Sequence, residues 1–380
     1  MPSTQTNKEA ILNIFDHKKI DHIVFSPRIY YWYLGNKLFL KRLKNPNSKI
    51  PDYFVGKTQM EIYRMLSVSP RYVYETLYFD LVETKIDPES KIIINRKIGS
   101  KEGETIVSYK TPLGNLKQVE SVGGGLGAHP TEYPIKSLDD LKIMQYILEN
   151  TSCSFSNRNF IKAEKLFGDL GVVSTYLSHS PFQKLITELM GFSRTILFLK
   201  RYPRQIENFM NVLEDWDDLL YKEIIQTPIK IINFGENIDG NLSPPHYFEK
   251  YLIPYYEKRV TQIHQSDKFC HIHMDGSLKD LLPYLGDLPF DGLEALTAYP
   301  QGDVSLQEIK DAIGNKILLD GIPSVLFLPQ YSNDYVKSYT KDVIELFYPN
   351  LILGVSDELS PNGEISKVEL IADIARNYDL

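Results

Sequence analysis

The sequence predicts an α/β fold: a (β/α)8 barrel with an N-terminal embellishment and a β-hairpin insert. Three observations lead there. Short apolar runs bounded by Gly, Pro or Asp alternate with longer amphipathic stretches. The runs do not alternate apolar with polar residues, as expected of parallel strands buried on both faces. Polar residues collect just beyond the C-terminal ends of the runs, where a barrel carries its chemistry.

The predicted strands, in order, are "HIVFSP" (22–27), "GVVSTYL" (171–177), "IKIINFG" (229–235), "KFCHIHM" (268–274), "FDGLEAL" (290–296), "NKILLDG" (315–321) and "LILGVSD" (351–357). Their C-terminal ends are expected at Arg28, Tyr176, Glu236, His273, Ala295, Gly321 and Asp357. An eighth strand is expected around 72–82, after a helix at roughly 57–66. Helical spacing of apolar residues marks 181–200, 203–225, 244–265 and 304–314. The last opens at a Ser cap with Glu308 in its first turn and ends on Gly. The segment 91–122 differs. Its alternation and Gly-containing turns predict antiparallel strands inserted in a single barrel that occupies 1–380.

A chain of 380 residues suits one large barrel or two medium domains. The net charge is -7 and no Lys/Arg block could track a phosphate backbone, so nucleic acid is not expected as a partner. The N-terminus lacks the apolar core of a signal peptide, and no apolar run is long enough to span a membrane. With only two cysteines, Cys153 and Cys270, neither a disulfide framework nor a Cys-rich zinc site is expected, and the cytoplasm is the natural compartment. Both thiols read as inert packing.

Several residues carry the chemistry. His273 and Asp275 in "HIHMDG" stand two apart, so a strand points both the same way. Asp357 at the end of the last strand would complete a His/Asp/Asp site, with Glu236 or Glu358 in reserve. One imidazole and two carboxylates suit a divalent ion, zinc first, with an open position. The competing reading is that His273 bonds a carbonyl and the acids cap helices. Glu236 and Asp239 in "GENIDG" are acid–base candidates, with a solvated loop the better account of Asp239. Arg28 could grip a carboxylate by a two-pronged bond, and Tyr30, Tyr31, Trp32 and Tyr33 beside it could line a substrate pocket. His271 shares a face with His273 and reads as core or support. "SVGGGLG" (121–127) has neither dinucleotide-binding nor P-loop spacing and reads as a loop.

"VFSPRIYYWY", "STYLSHSPFQKL", "IKIINFGENIDG", "CHIHMDGSLKDLLPYL", "FDGLEALTAYPQGDVSL", "NKILLDGIPSVLF" and "LILGVSDELSPNGEI", in this order, resemble the uroporphyrinogen decarboxylase superfamily over most of the chain. The resemblance implies a TIM barrel. Its cobalamin-dependent methyltransferase branch ends a strand in a His-x-Cys-Gly metal motif and takes a further ligand from a later cysteine. Here His273 matches the histidine, Asp275 replaces the first cysteine and Asp357 the second. The resemblance therefore implies metal-assisted methyl transfer with carboxylates in place of thiolates. The methyl group would go from a small, O-methylated aromatic substrate to a corrinoid carried by a partner protein, with a homodimer left open. The decarboxylase branch opens with an arginine-rich motif, where this chain has only Arg28 among aromatics. A metal-independent decarboxylase and a non-enzymatic ligand-binding barrel are the alternatives.

Overall fold

A computed structural model describes residues 4–36, 50–122 and 128–380. It divides the chain into two compact units, Met1–Leu81 with Asn157–Leu177 and Ile229–Leu380, and Val82–Ser156 with Ser178–Pro228.

The first unit is built on a parallel sheet of six strands: Ser174–Leu177, Ile231–Phe234, Phe269–His273, Gly292–Glu294, Ile317–Pro323 and Leu351–Ser356. Each is paired with the next in sequence order. The remaining two staves are reduced to single bridges. Phe25 pairs with Leu353 and Tyr72 with Ser174, both parallel. Ser69 N donates to Phe25 O at 2.9 Å, so the two short staves meet and the ring closes. Barrel closure removes both sheet edges.

The eighth stave falls at 69–72 and not across 72–82. Val73–Leu77 is helical, and Val82–Ile86 pairs antiparallel with Thr151–Phe155 in the second unit. The other strand ends fall within two residues of where the sequence places them, His273 closing its strand and Asp357 directly following Ser356, while the first stave, a bridge at Phe25, stops short of Arg28.

The N-terminal helix Asn7–Phe15 starts with a capping box between Thr6 and Glu9. It buries Ala10, Ile11, Ile14 and Phe15 in one cluster with Ile231, Ile317, Leu319 and Ile352. This apolar plug sits at the starts of the strands, leaving the other end for polar groups. Ser305 caps Leu306–Ile313 with Glu308, and Gly314, at φ +60°, terminates it, a conformation that costs glycine little.

In the second unit, Ile93–Ile98, Glu104–Thr111, Gly114–Val122 and Ala128–Glu132 form a four-stranded antiparallel sheet. The sheet takes in the 91–122 segment. Of the glycine-rich loop expected at 121–127, residues 123–127 lie outside the described residues. The expected helices at 181–200 and 203–225 belong to this unit, so the barrel does not take up all of 1–380. The first of them is broken. Pro181–Lys184 runs into a wider π turn at Leu185–Leu189, and Phe192–Arg201 starts after Gly191 at φ +79°. Among the described residues no helix is long and apolar enough to cross a membrane. Cys153 and Cys270 are not disulfide-bonded.

Candidate metal centre

Strand pairing sets His273 beside Glu294 on the neighbouring strand, and His271 beside Gly292 and Asn233. Because His271 and His273 are two apart, both point into the barrel. His273 Nε2 lies 3.8 Å from Asp275 Oδ1 and 3.5 Å from Asp357 Oδ1. One ligand atom from each of the three lies within 4.8 Å of the others. Two donors about 2.0–2.2 Å from a tetrahedral ion stand roughly 3.3–3.5 Å apart, so His273 needs little movement to share an ion with either acid. On the other ring nitrogen, Nδ1, Glu294 Oε2 approaches to 3.3 Å, close enough to pair though not aligned as a hydrogen bond. A carboxylate behind a metal-binding imidazole is the usual arrangement for fixing ring orientation. The donor set and this support fit a divalent ion.

Charge favours the same conclusion. Burial alone would lower His273, but the charge of Asp357 and the contact with Glu294 raise it to about 9. Partial burial pushes Asp275 up to about 6, with the charge of His273 opposing and that of Asp357 adding; its side chain keeps 40% exposure, so solvent moderates the effect. Against its complete burial, His273, Arg28 and Arg71 hold Glu294 well below the usual carboxylate range. Carboxylates outnumber guanidiniums here, which leaves room for a cation.

Arg28 is 5% exposed and committed to the chain's own acids. Its Nη2 donates to Glu75 Oε1 at 2.5 Å, to Glu358 Oε1 at 3.0 Å and to Tyr176 Oη at 2.8 Å. Its Nη1 donates to Asp357 Oδ1. The expected grip on a substrate carboxylate is therefore replaced by an internal one. Deeper in the barrel, Arg71 Nη1 stands 2.7 Å from both Glu294 Oε1 and Asp320 Oδ1. Tyr72 Oη donates to Glu294 Oε2 at 2.7 Å. Asp320 has φ +88°, which breaks the strand's alternation and brings its carboxylate inside. Gly354 makes room: a Cβ there would collide with that carboxylate.

The four aromatics divide. Trp32 and Tyr33 are 2% and 3% exposed, with Trp32 against Phe54 and Tyr33 Oη donating to Lys57 O at 3.0 Å. They are core residues and not pocket lining, because the helix Tyr30–Gly35 can turn only one face outward. Tyr30 and Tyr31 are half-buried, and Tyr30 clusters with Tyr31, Tyr74 and Tyr78. Tyr31 N donates to Glu358 Oε2 at 3.0 Å, which ties the helix to the charged cluster.

Glu236 is wholly buried and accepts from Tyr256 Oη at 3.1 Å. Tyr256 belongs to the helix Ile253–His264 and packs on Phe234, so Glu236 faces the helix layer and not the barrel axis. Asp239 is the residue of that loop which, with Asp275, Thr297, Gln301 and Asp357, lines a cavity of about 510 Å³ at the barrel mouth. Glu358 is occupied by Arg28. His271, 1% exposed and lowered by burial to about 4, is a neutral interior group with its Nδ1 3.1 Å from Asn233 Nδ2. Sequence reasoning passed over Glu294, Arg71, Tyr72, Glu75 and Asp320. The available signal was a charged residue inside an apolar run, as in "DGLEAL" and "ILLDG".

The profile of the family described as uroporphyrinogen decarboxylase (URO-D) matches residues 169–378, more than half of the chain. No curated protein sequence matches it. Among solved structures, a methyltransferase from Methanosarcina mazei matches at TM-score 0.60 and 13% identity, covering 98% of each chain. At that identity the likeness concerns the fold alone. A B12-independent methionine synthase from Shewanella sp. W3-18-1 matches at TM-score 0.43 and 10% identity, covering 94% of this chain and 98% of the other, too distantly to carry an argument.

Proposed function

Because the chain belongs to the uroporphyrinogen decarboxylase family, we propose that it is a metal-assisted methyltransferase of that superfamily. It moves a methyl group from a small, O-methylated aromatic substrate to a corrinoid carried by a partner protein. The observation that carries this reading is the convergence of His273, Asp275 and Asp357 on a common point at the barrel mouth.

Methyl transfer from an ether leaves an alkoxide or phenoxide, whose charge must be offset. A divalent ion held by these three residues would supply Lewis acidity to that oxygen. The chain's own groups do the rest. Glu294 orients His273 from behind, and Arg28 positions Asp357. Tyr30 and Tyr31 offer half-buried ring faces beside the charged cluster for an aromatic substrate. Glu236, turned to the helix layer, is not placed to protonate the leaving group; Asp275, in the cavity lining, could do so only without the ion, since coordination would hold its carboxylate deprotonated.

The metal-independent decarboxylase reading loses support, since it needs a guanidinium free to hold a substrate carboxylate and Arg28 is occupied by Glu75, Glu358 and Asp357. An acid-rich mouth also repels a substrate with many carboxylates.

The test is zinc titration of chelator-treated protein by calorimetry, alongside methyl transfer from methoxylated aromatics to reduced cobalamin. Wild type should bind the ion and transfer methyl. His273→Ala should lose both while keeping its circular dichroism and melting temperature. Full-rate transfer after exhaustive chelation would remove the metal from the reaction.

A further inference from the structure

A second constellation lies at the opposite end of the same barrel. His264 ends the helix Ile253–His264, Cys270 is the second residue of the strand Phe269–His273, and Asp291 directly precedes the strand Gly292–Glu294. One donor atom from each lies within 4.8 Å of the others. Asp291 Oδ2 organises the group, accepting from Cys270 N at 2.7 Å and facing His264 Nε2 at 3.0 Å. Since His271 and His273 point inward, Cys270 points outward to the helix layer, where the histidine arrives.

From this geometry we propose a second, structural metal site formed by His264, Cys270 and Asp291, taking zinc or a similar borderline divalent ion. It is independent of the site at the mouth. Thiolate, imidazole and carboxylate are a favourable donor set for zinc and a poor one for magnesium or calcium. The approach is through two of the donors, with Cys270, wholly buried, behind them. The side chain of His264 is 40% exposed, and His264 and Asp291 line a cavity of about 610 Å³. The nearby cations donate to backbone carbonyls: Lys316 to Leu288 and Phe290 at 2.5 and 2.9 Å, Lys268 to Ile229 at 2.8 Å and Lys230 to Asp267 at 3.4 Å. Binding exchanges the Cys270 thiol proton for the metal, the proton leaving to solvent past His264. The position explains what such a site would do. It clips the end of a helix to the strand that carries His273 at its far end. The strand-start face of a barrel contributes to stability more than to chemistry.

Cobalt(II) distinguishes the two sites, because only this one contains sulfur. Metal-free protein titrated with Co²⁺ should develop a near-ultraviolet thiolate-to-cobalt charge-transfer band. Cys270→Ser should abolish the band. His264→Gln, a change at a half-exposed position that leaves the core intact, should weaken Co²⁺ binding at least tenfold. Cys153→Ser and His273→Ala should leave the band unchanged. Zinc should raise the melting temperature of His273→Ala but not of His273→Ala combined with His264→Gln. Absence of the band in wild type, or its loss in Cys153→Ser and retention in Cys270→Ser, would overturn the proposal and leave the mouth site untouched.

Discussion

Glu294 Oε2 lies 3.3 Å from Nδ1 of His273, on the side of the ring away from Asp275 and Asp357. The glutamate is completely buried and held ionised by Arg28 and Arg71 as well as by the imidazole. It therefore fixes which nitrogen of His273 faces the cavity. Glu294→Gln keeps the shape and removes the charge. Metal affinity at the mouth should fall by about 10–100-fold, the usual loss when such a supporting carboxylate is removed. Competition with a chromophoric chelator measures this, and an unchanged affinity would make Glu294 only a packing residue.

Arg28 joins Glu75, Glu358 and Asp357; burial pushes Glu75 and Glu358 upward, and the charge of Arg28 opposes it. Arg28→Met takes the guanidinium from these buried acids and leaves Glu358 and Glu75 only the neutral donors Tyr31 N and Tyr176 Oη. Destabilisation of about 3–5 kcal/mol is expected in urea unfolding near neutral pH, the range seen when one member of a buried ion pair is deleted. Adding Glu75→Gln should recover part of the loss. A single variant as stable as wild type would mean that water or protons already compensate the acids.

Asp320 gives a dependence on pH. Burial raises it from its ordinary 3.8 to about 7, with Arg71 opposing and Glu294 adding. An acid raised in the folded state favours folding in its protonated form. Its contribution is complete below about pH 4 and is lost as pH rises through about 7. Asp320→Asn stays neutral throughout. Between about pH 4 and about pH 8 the variant should gain on wild type by a few kcal/mol, measured by urea unfolding across that range. Parallel stability curves for the two proteins would refute the burial argument.

The aromatic helix separates folding from binding. Trp32→Ala removes a core ring and should cost about 3–5 kcal/mol of stability. Tyr31→Phe and Tyr30→Ala act on half-buried rings. They should leave the melting temperature within a few degrees and raise KM for an aromatic substrate more than they lower kcat. If Tyr30→Ala melts as early as Trp32→Ala, the exposed cluster is structural too.

The sequence by itself determined the alternation of strand and helix, the caps at Ser305 and Gly314, and the pairing of His273 with Asp275 on one face. These are local properties. Burial on both faces removes alternation, a cap needs only its own first turn, and residues two apart on a strand share a face wherever the strand goes. Asp357 could be guessed because barrel strands end at a common rim. The tertiary structure alone decided which groups meet across the interior. Arg28 meets Asp357, 329 residues later, and Arg71 meets Glu294, 223 residues later. Those encounters depend on closure and register, which no window of sequence contains. Thus Arg28, a free cation on paper, became an internal counter-ion. Glu236, two residues beyond its strand, turned to Tyr256, and Trp32 and Tyr33 went to the core. The eighth stave, held by a single bridge and one hydrogen bond to Phe25, is too short to leave a periodic signal. Ring closure, not local propensity, makes it a strand.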